Sequence, residues 1–196
     1  MMLQTSPDKR GTILSAAFDV FINYGFRKTS MDDIARAAGM SRPALYQIFR
    51  NKSEIFRGLS RSLLESTATE AISAFHGAKP FSERLYDALD VSILSMHRKI
   101  DATPHGMELI GVNEEIASDI EEEWCQSLIG VIAKGIEEAA RTGEVSLEPL
   151  GVDAHAVASI VMQAMEGMKS NYLRGKPIED DVRNLVAFVS NALTKG

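Results

Sequence analysis

The chain has 196 residues, of which 45% are hydrophobic and 24% charged, with a net charge of −6. That balance is ordinary for a globular domain and excludes a disordered tail, a collagen-like fibre or a disulfide scaffold. The longest run without Asp, Glu, Lys or Arg, from Ala154 to Met165, falls well short of the roughly 20 apolar residues that span a bilayer.

Apolar residues recur at i, i+3, i+4 and i+7 in several segments and few segments alternate, so the expected fold class is all-α. Ile13, Leu14, Ala17, Phe18 and Phe21 form one stripe, closed by Gly25. Thr29 and Ser30 are good helix-starting residues ahead of Met31, Ile34, Ala35 and Ala38. Gly39-Met40 breaks that short helix, and Ser41 caps the next, with Pro43 in its first turn. Asn51 and Glu54 have capping-box spacing and open a longer helix through Ile55, Phe56, Leu59 and Leu63. After Gly77 and Pro80, Ser82 caps a helix with Leu85, Leu89, Ile93 and Met96 that ends before Pro104. A short element is expected around Glu108 to Val112. A long helix with Ile116, Ile120, Trp124, Leu128, Ile132 and Ile136 follows, stopping near Gly143. A connector through Pro149 leads to two last helices, one with Val157, Ile160, Val161, Ala164, Met165 and Met168, one with Val182, Leu185, Val186, Val189 and Leu193. No internal repeat is present.

Charge is unevenly spread. Residues 1–60 hold 9 Lys+Arg against 5 Asp+Glu, whereas residues 61–196 hold 12 against 22. A basic module joined to an acidic body is the physical reading. Within the basic part, residues 30–49 are two short helices joined by a tight turn, the pattern of a helix-turn-helix whose second helix enters the DNA major groove. At about 100° per residue, Leu45 and Phe49 mark the inward side of the second helix, expected over 42–50, and Gln47 points away from them. That helix has no acidic residue, as a face that meets phosphates requires.

Residues 10–57 resemble the N-terminal domain of the tetracycline-repressor (TetR-like) transcriptional regulators. The resemblance rests on Ile13-Leu14, Ala16-Ala17, Phe21, Gly25, Thr29, Ile34-Ala35, Ala38-Gly39, Ser41, Leu45-Tyr46, Phe49 and Lys52. It implies a cytoplasmic, two-domain, all-helical homodimer that binds operator DNA and releases it when a small molecule enters the C-terminal domain. It divides the chain into a three-helix DNA-binding domain, 1–50, and a helical ligand-binding and dimerisation domain, 51–196. By position it implies phosphate contacts from Tyr46, Lys52, Thr29 and Ser30, with Ser41 at the start of the reading helix. Arg42, Pro43, Ala44 and Gln47 would then face base edges, where Arg suits guanine, Gln adenine and Ala a thymine methyl. Ile48 departs from the polar or aromatic residue often found there.

The acidic body first invites an enzyme reading. A di-metal carboxylate site needs Glu-x-x-His pairs. Ser73, Leu94, Ala102 and Val152 precede the four histidines at that spacing, so no metal site is expected. Cys125 sits in an apolar helix and is the only cysteine, which suits a reducing compartment. No phosphate loop or dinucleotide fingerprint is present, so no cofactor is expected. Met96, His97, Met107, Trp124, Met162, Met165 and Glu166 are candidates for lining a mainly apolar effector site. Val161, Met168, Val182, Val186 and Val189 are candidates for the dimer contact, because the last two helices carry apolar groups on more than one side. A near-palindromic operator, a repressor action and no membrane partner complete the expectation. The alternatives are a ligand-independent or activating regulator, or a helical enzyme fused to a DNA-binding domain.

Overall fold

The computed structural model describes residues 8–194, and every regular element in them is helical. The helices are α1 (Lys9–Tyr24), α2 (Met31–Ala37), α3 (Arg42–Tyr46), α4 (Lys52–Phe75), α5 (Phe81–Leu89), α6 (Ser95–Asp101), α7 (Gly106–Ile116), α8 (Ser118–Arg141), α9 (Ala154–Tyr172) and α10 (Glu179–Ala192). They gather into two compact units. The first ends at Leu64 and adds His97–Glu121, while the second holds Glu65–Met96 and everything from Glu122. The first unit therefore extends beyond the 1–50 stretch that carries the motif.

In the first unit, local chemistry sets each start and stop. Asp8 accepts from Arg10 N at 3.0 Å and caps α1. Gly25, at φ +82, closes it. Ser30 and Asp33 form a reciprocal capping box at the start of α2, satisfying N–H groups that the helix cannot pair internally. The expected box at α4 is present in shifted form. Asn51 Oδ1 accepts from Glu54 N at 2.8 Å, but Glu54 reaches back to Arg50 N at 2.7 Å. The inward faces of these helices bury Ile13, Ala17, Phe21, Ile34, Leu45, Phe49 and Ile55 without measurable exposure. Phe21, Phe26 and Phe56 meet with ring centres 5.3 to 5.8 Å apart, in the tilted and edge-on geometries that aromatic quadrupoles favour.

The second unit has its own core, led by Leu85, Leu89, Leu94, Leu128, Ile132, Ile136, Val161 and Val182. Arg84, 7% exposed, is held by the Glu144 carboxylate and by the carbonyls of Lys79 and Phe75 at 2.9 and 3.2 Å. A buried guanidinium of this kind persists only because its donors are satisfied.

Three boundaries differ from the periodicity reading. α3 ends at Tyr46 rather than Arg50, although Phe49 still points inward from the following turn. The helix after Pro80 begins at Phe81, so Ser82 lies inside it instead of capping it, and the Glu144 carboxylate accepts from Phe81 N at 2.5 Å and supplies the cap from outside. The short element near Glu108 is an eleven-residue helix ending at Ile116, and Ala117 at φ −142 separates it from α8. Asp90–Leu94 is a π-helical turn between α5 and α6, a feature that period 3.6 does not reveal.

Candidate nucleic-acid interface

α2, the turn at Gly39 and α3 form the helix pair expected to meet DNA. Gly39 takes φ +65, a left-handed conformation in which a side chain is strained, and lets the chain reverse. Ser41 Oγ accepts from Ala44 N at 3.4 Å to cap α3, and Pro43 occupies the first turn, where its missing N–H goes unneeded. Leu45 and Phe49 are buried, so the other face turns outward. Arg42, Pro43, Tyr46 and Gln47 are exposed there, with Ala44 half-buried. These are the residues assigned to base edges from sequence, with Tyr46 beside them.

Arg42 is held in place before any DNA arrives. Its Nη1 donates to Asp32 Oδ2 at 3.1 Å, and its guanidinium lies 5.4 Å from the centre of the Tyr46 ring. The Tyr46 hydroxyl and then the charge of Asp32 raise the Arg42 pKa further above its already high value.

The five remaining DNA candidates separate by environment. Ser41 and Tyr46 lie on the surface. Ser30 is exposed, but its Oγ donates to Asp33 Oδ2 at 2.6 Å and accepts from Asp33 N at 3.2 Å. That bond holds the Asp33 carboxyl below its ordinary range. Thr29 is only 4% exposed and donates its hydroxyl to Gly25 O at 2.7 Å. Lys52 directs Nζ at three carbonyls, those of Phe26, Thr29 and Arg27, at 2.7, 2.9 and 3.2 Å. Its ammonium also lies 4.5 Å from the centre of the Phe26 ring. Burial pushes its pKa down, opposed by the charge of Glu108. Thr29 and Lys52 thus organise the turn that launches α2, with their polar atoms turned inward.

The same turn is gripped from its other side. Glu108 of α7 accepts from Arg27 N at 2.9 Å and pairs with His105 Nδ1 at 3.3 Å. A side chain on Gly25 would collide with the Glu108 carboxylate. Neither Glu108 nor Asp32 had a signal in the sequence, since their partners lie 81 and 10 residues away, outside any helical spacing.

The effector candidates divide between the two units. Met96, Trp124, Met162, Met165 and Glu166 belong to the second unit, whereas His97 and Met107 belong to the first. Met162 and Met165 are buried, Met96 and Trp124 half-buried, and Met107 is 50% exposed. Trp124 Nε1 donates to Thr67 Oγ1 at 3.0 Å. Glu166 is exposed and faces Lys169 at 3.9 Å. Four of the dimer candidates, Val161, Val182, Val186 and Val189, are buried within their own chain, and Met168 is half-buried. The apolar side chains that α9 and α10 leave on the surface are their neighbours Ile160 and Phe188, 57% and 73% exposed. Helical rotation explains the difference in exposure, since adjacent residues differ by about 100°. Among the described residues, no three or more His, Cys, Asp or Glu are grouped as a metal site would need.

Comparison with known proteins places this geometry. Residues 13–59 match the family model of bacterial regulatory proteins of the tetR family. The HTH-type transcriptional regulator TtgW of Pseudomonas putida is 31% identical over 124 residues, covering 53% of this chain and 92% of that protein. The HTH-type transcriptional regulator YhgD of Bacillus subtilis is 28% identical over 144 residues, covering 71% and 73%. Among solved structures, Thermus thermophilus FadR, a transcriptional repressor in complex with lauroyl-CoA, superposes with a TM-score of 0.63 at 16% identity, over 95% of this chain and 96% of that one.

Proposed function

The chain belongs to the tetR family of bacterial transcriptional regulators, and from that premise we propose that it is a ligand-responsive repressor that binds a near-palindromic operator as a homodimer. Residues 1–50 serve DNA in this reading, and residues 51–196 serve effector binding and dimerisation. Arg42, Pro43, Ala44 and Gln47 read bases. Ser41 and Tyr46 approach phosphates from the rim of α3, while Ser30 fixes the start of α2 through its bonds to Asp33. Thr29 and Lys52 act by shaping the turn beneath them.

The observation that carries this reading is the outer face of α3. It combines one positioned cation, one exposed amide and small apolar groups, with no carboxylate of its own. Such a face can make hydrogen bonds and methyl contacts in a major groove without repelling phosphates. Because one reading helix covers only a few base pairs, two related copies are needed for useful discrimination. No described helix is long and apolar enough to cross a membrane, which suits a protein acting on DNA in the cytoplasm.

The proposed effector is a small, mainly apolar molecule. Met96, Trp124, Met162 and Met165 of the second unit support that class, because methionine adapts to varied apolar shapes. The lauroyl chain of the FadR neighbour's ligand is apolar, whereas its CoA part is polyanionic, so only the chain resembles this class. The direct test selects DNA from a random-sequence library with the wild-type protein. Recovery of a two-fold related site, whose preference is relaxed at particular base pairs by Gln47→Ala, is the expected result. Recovery of no preferred sequence from a folded protein removes the reading. A reporter driven from the recovered site, with expression rising when the protein is deleted, distinguishes repression from activation.

A further inference from the structure

Asp32 sets a puzzle on the surface described above. A carboxylate near DNA phosphates is repelled over a Debye length of about 8–10 Å, yet Asp32 lies half-exposed on α2 within hydrogen-bond distance of a base-reading candidate. Its place in the first turn of α2 favours a carboxylate, but the capping box is made by Asp33 with Ser30, which leaves the pairing of Asp32 with Arg42 to be explained. Fold stability does not explain it either, since an ion pair with both side chains this exposed contributes little in water.

We propose that Asp32 is a positioning residue for base recognition, holding Arg42 in a reading posture and suppressing its attraction to phosphates at large. The proposal rests on the reading of α3 as the DNA-reading helix. A free arginine side chain samples many rotamers, and that freedom must be given up when the side chain is ordered on DNA. Asp32 on one side and the Tyr46 ring on the other restrict it in advance. A guanidinium has five N–H donors, so donating one to Asp32 leaves enough for a two-pronged contact to guanine O6 and N7. The pair also neutralises Arg42 toward sequence-blind binding, which depends on the number of phosphates met by free cations. Discrimination is thereby gained while indiscriminate affinity is reduced.

Two readouts are expected to move in opposite directions, which a merely structural residue would not produce. The probes are a duplex recovered by the wild-type protein from a random-sequence library, its single base-pair variants, and an unrelated duplex of equal length. R42A lowers discrimination at one base pair by about tenfold, within the range for a two-pronged contact. D32A lowers discrimination at that same pair by about three- to tenfold, and the double variant loses no more than R42A alone. At the unrelated duplex D32A binds tighter, and its log affinity against log salt steepens by up to about one unit. Should D32A unfold, D32S is used, because serine suits a helix start but cannot reach Arg42. A folded variant that keeps wild-type discrimination at the Arg42-dependent pair overturns the proposal. If R42A changes no base preference at all, the underlying reading of α3 fails instead.

Discussion

Asp119 receives both terminal nitrogens of Arg57, at 2.6 and 2.7 Å, and Arg57 also donates to Ile116 O at 2.7 Å. The hydrogen bond from Arg57, supported by its charge and opposed by desolvation, brings the Asp119 carboxyl from 3.8 to about 2. A folded-state pKa below the unfolded one means that the stabilisation is complete above about pH 4 and drains away as the pH falls toward 2. Asp119→Asn is therefore expected to lower the urea midpoint at neutral pH, with the gap to wild type closing near pH 2. A gap that stays constant through that range would show that the pair is not its source. Lys52 supports a second expectation. With its donors on three carbonyls, Lys52→Ala should weaken binding to every duplex by disordering the start of α2. The salt slope should stay near the wild-type value, since loss of a direct phosphate contact would make it shallower by about one unit. Residue identity made the caps at Ser30 and Ser41 legible from sequence, because a cap is decided within three residues. The inward turn of Thr29 and Lys52 was not legible, since the carbonyls that claim them come from a turn whose path only the fold defines.

Helices were the most legible level of this chain. Their apolar stripes carry a period of 3.6 whatever they pack against, so the helices lie in segments expected to be helical, except that α7 outgrows the short element expected over Glu108 to Val112. What failed were ends decided from a distance or by one residue's backbone, such as Phe81, capped by Glu144 from 63 residues away, and Ala117, whose non-helical backbone separates Ile116 from the stripe that continues at Ile120. Gly25 combines both kinds of control. Its φ of +82 and ψ of 153 lie where only glycine is at ease, and this closes α1 as the sequence implied. The Glu108 carboxylate packed against it could not be anticipated. Gly25→Ala must both adopt a strained backbone and displace Glu108 from Arg27 N. The expected loss is about 1–3 kcal/mol from the backbone alone, read as a lower urea midpoint, with weaker operator binding because the turn into α2 shifts. Glu108→Gln should be milder, since an amide oxygen can still accept from Arg27 N while the attraction to Lys52 is lost. A Gly25→Ala protein as stable as wild type would mean that the turn has another conformation in solution.

At the scale of the whole molecule, the proposed function links two copies and two ligands. Ile160 and Phe188 are the apolar side chains that α9 and α10 expose, while the valines expected at the dimer contact support the core of their own chain. Phe188→Glu or Ile160→Asp should therefore give folded monomers by sedimentation with little operator affinity. Charges placed at Val186 or Val189 should instead reduce stability, because a buried charge without a partner is costly. If the effector favours a form of the dimer that seats poorly on DNA, thermodynamic reciprocity requires operator DNA to weaken effector binding by the same factor. Typical coupling is about 1–3 kcal/mol, or roughly 5–150-fold. Trp124 reports on this directly. It is the only tryptophan of the chain, half-buried in the second unit and tied to Thr67, so its emission is the readout for binding at the proposed effector site. Small apolar compounds of graded size are titrated, each with and without the selected duplex. The expected outcome is saturable binding whose apparent Kd rises within that range when the duplex is present. A compound that binds equally well in both conditions occupies a site that does not regulate DNA binding, however tight it is, because a ligand with no preference between two states shifts neither.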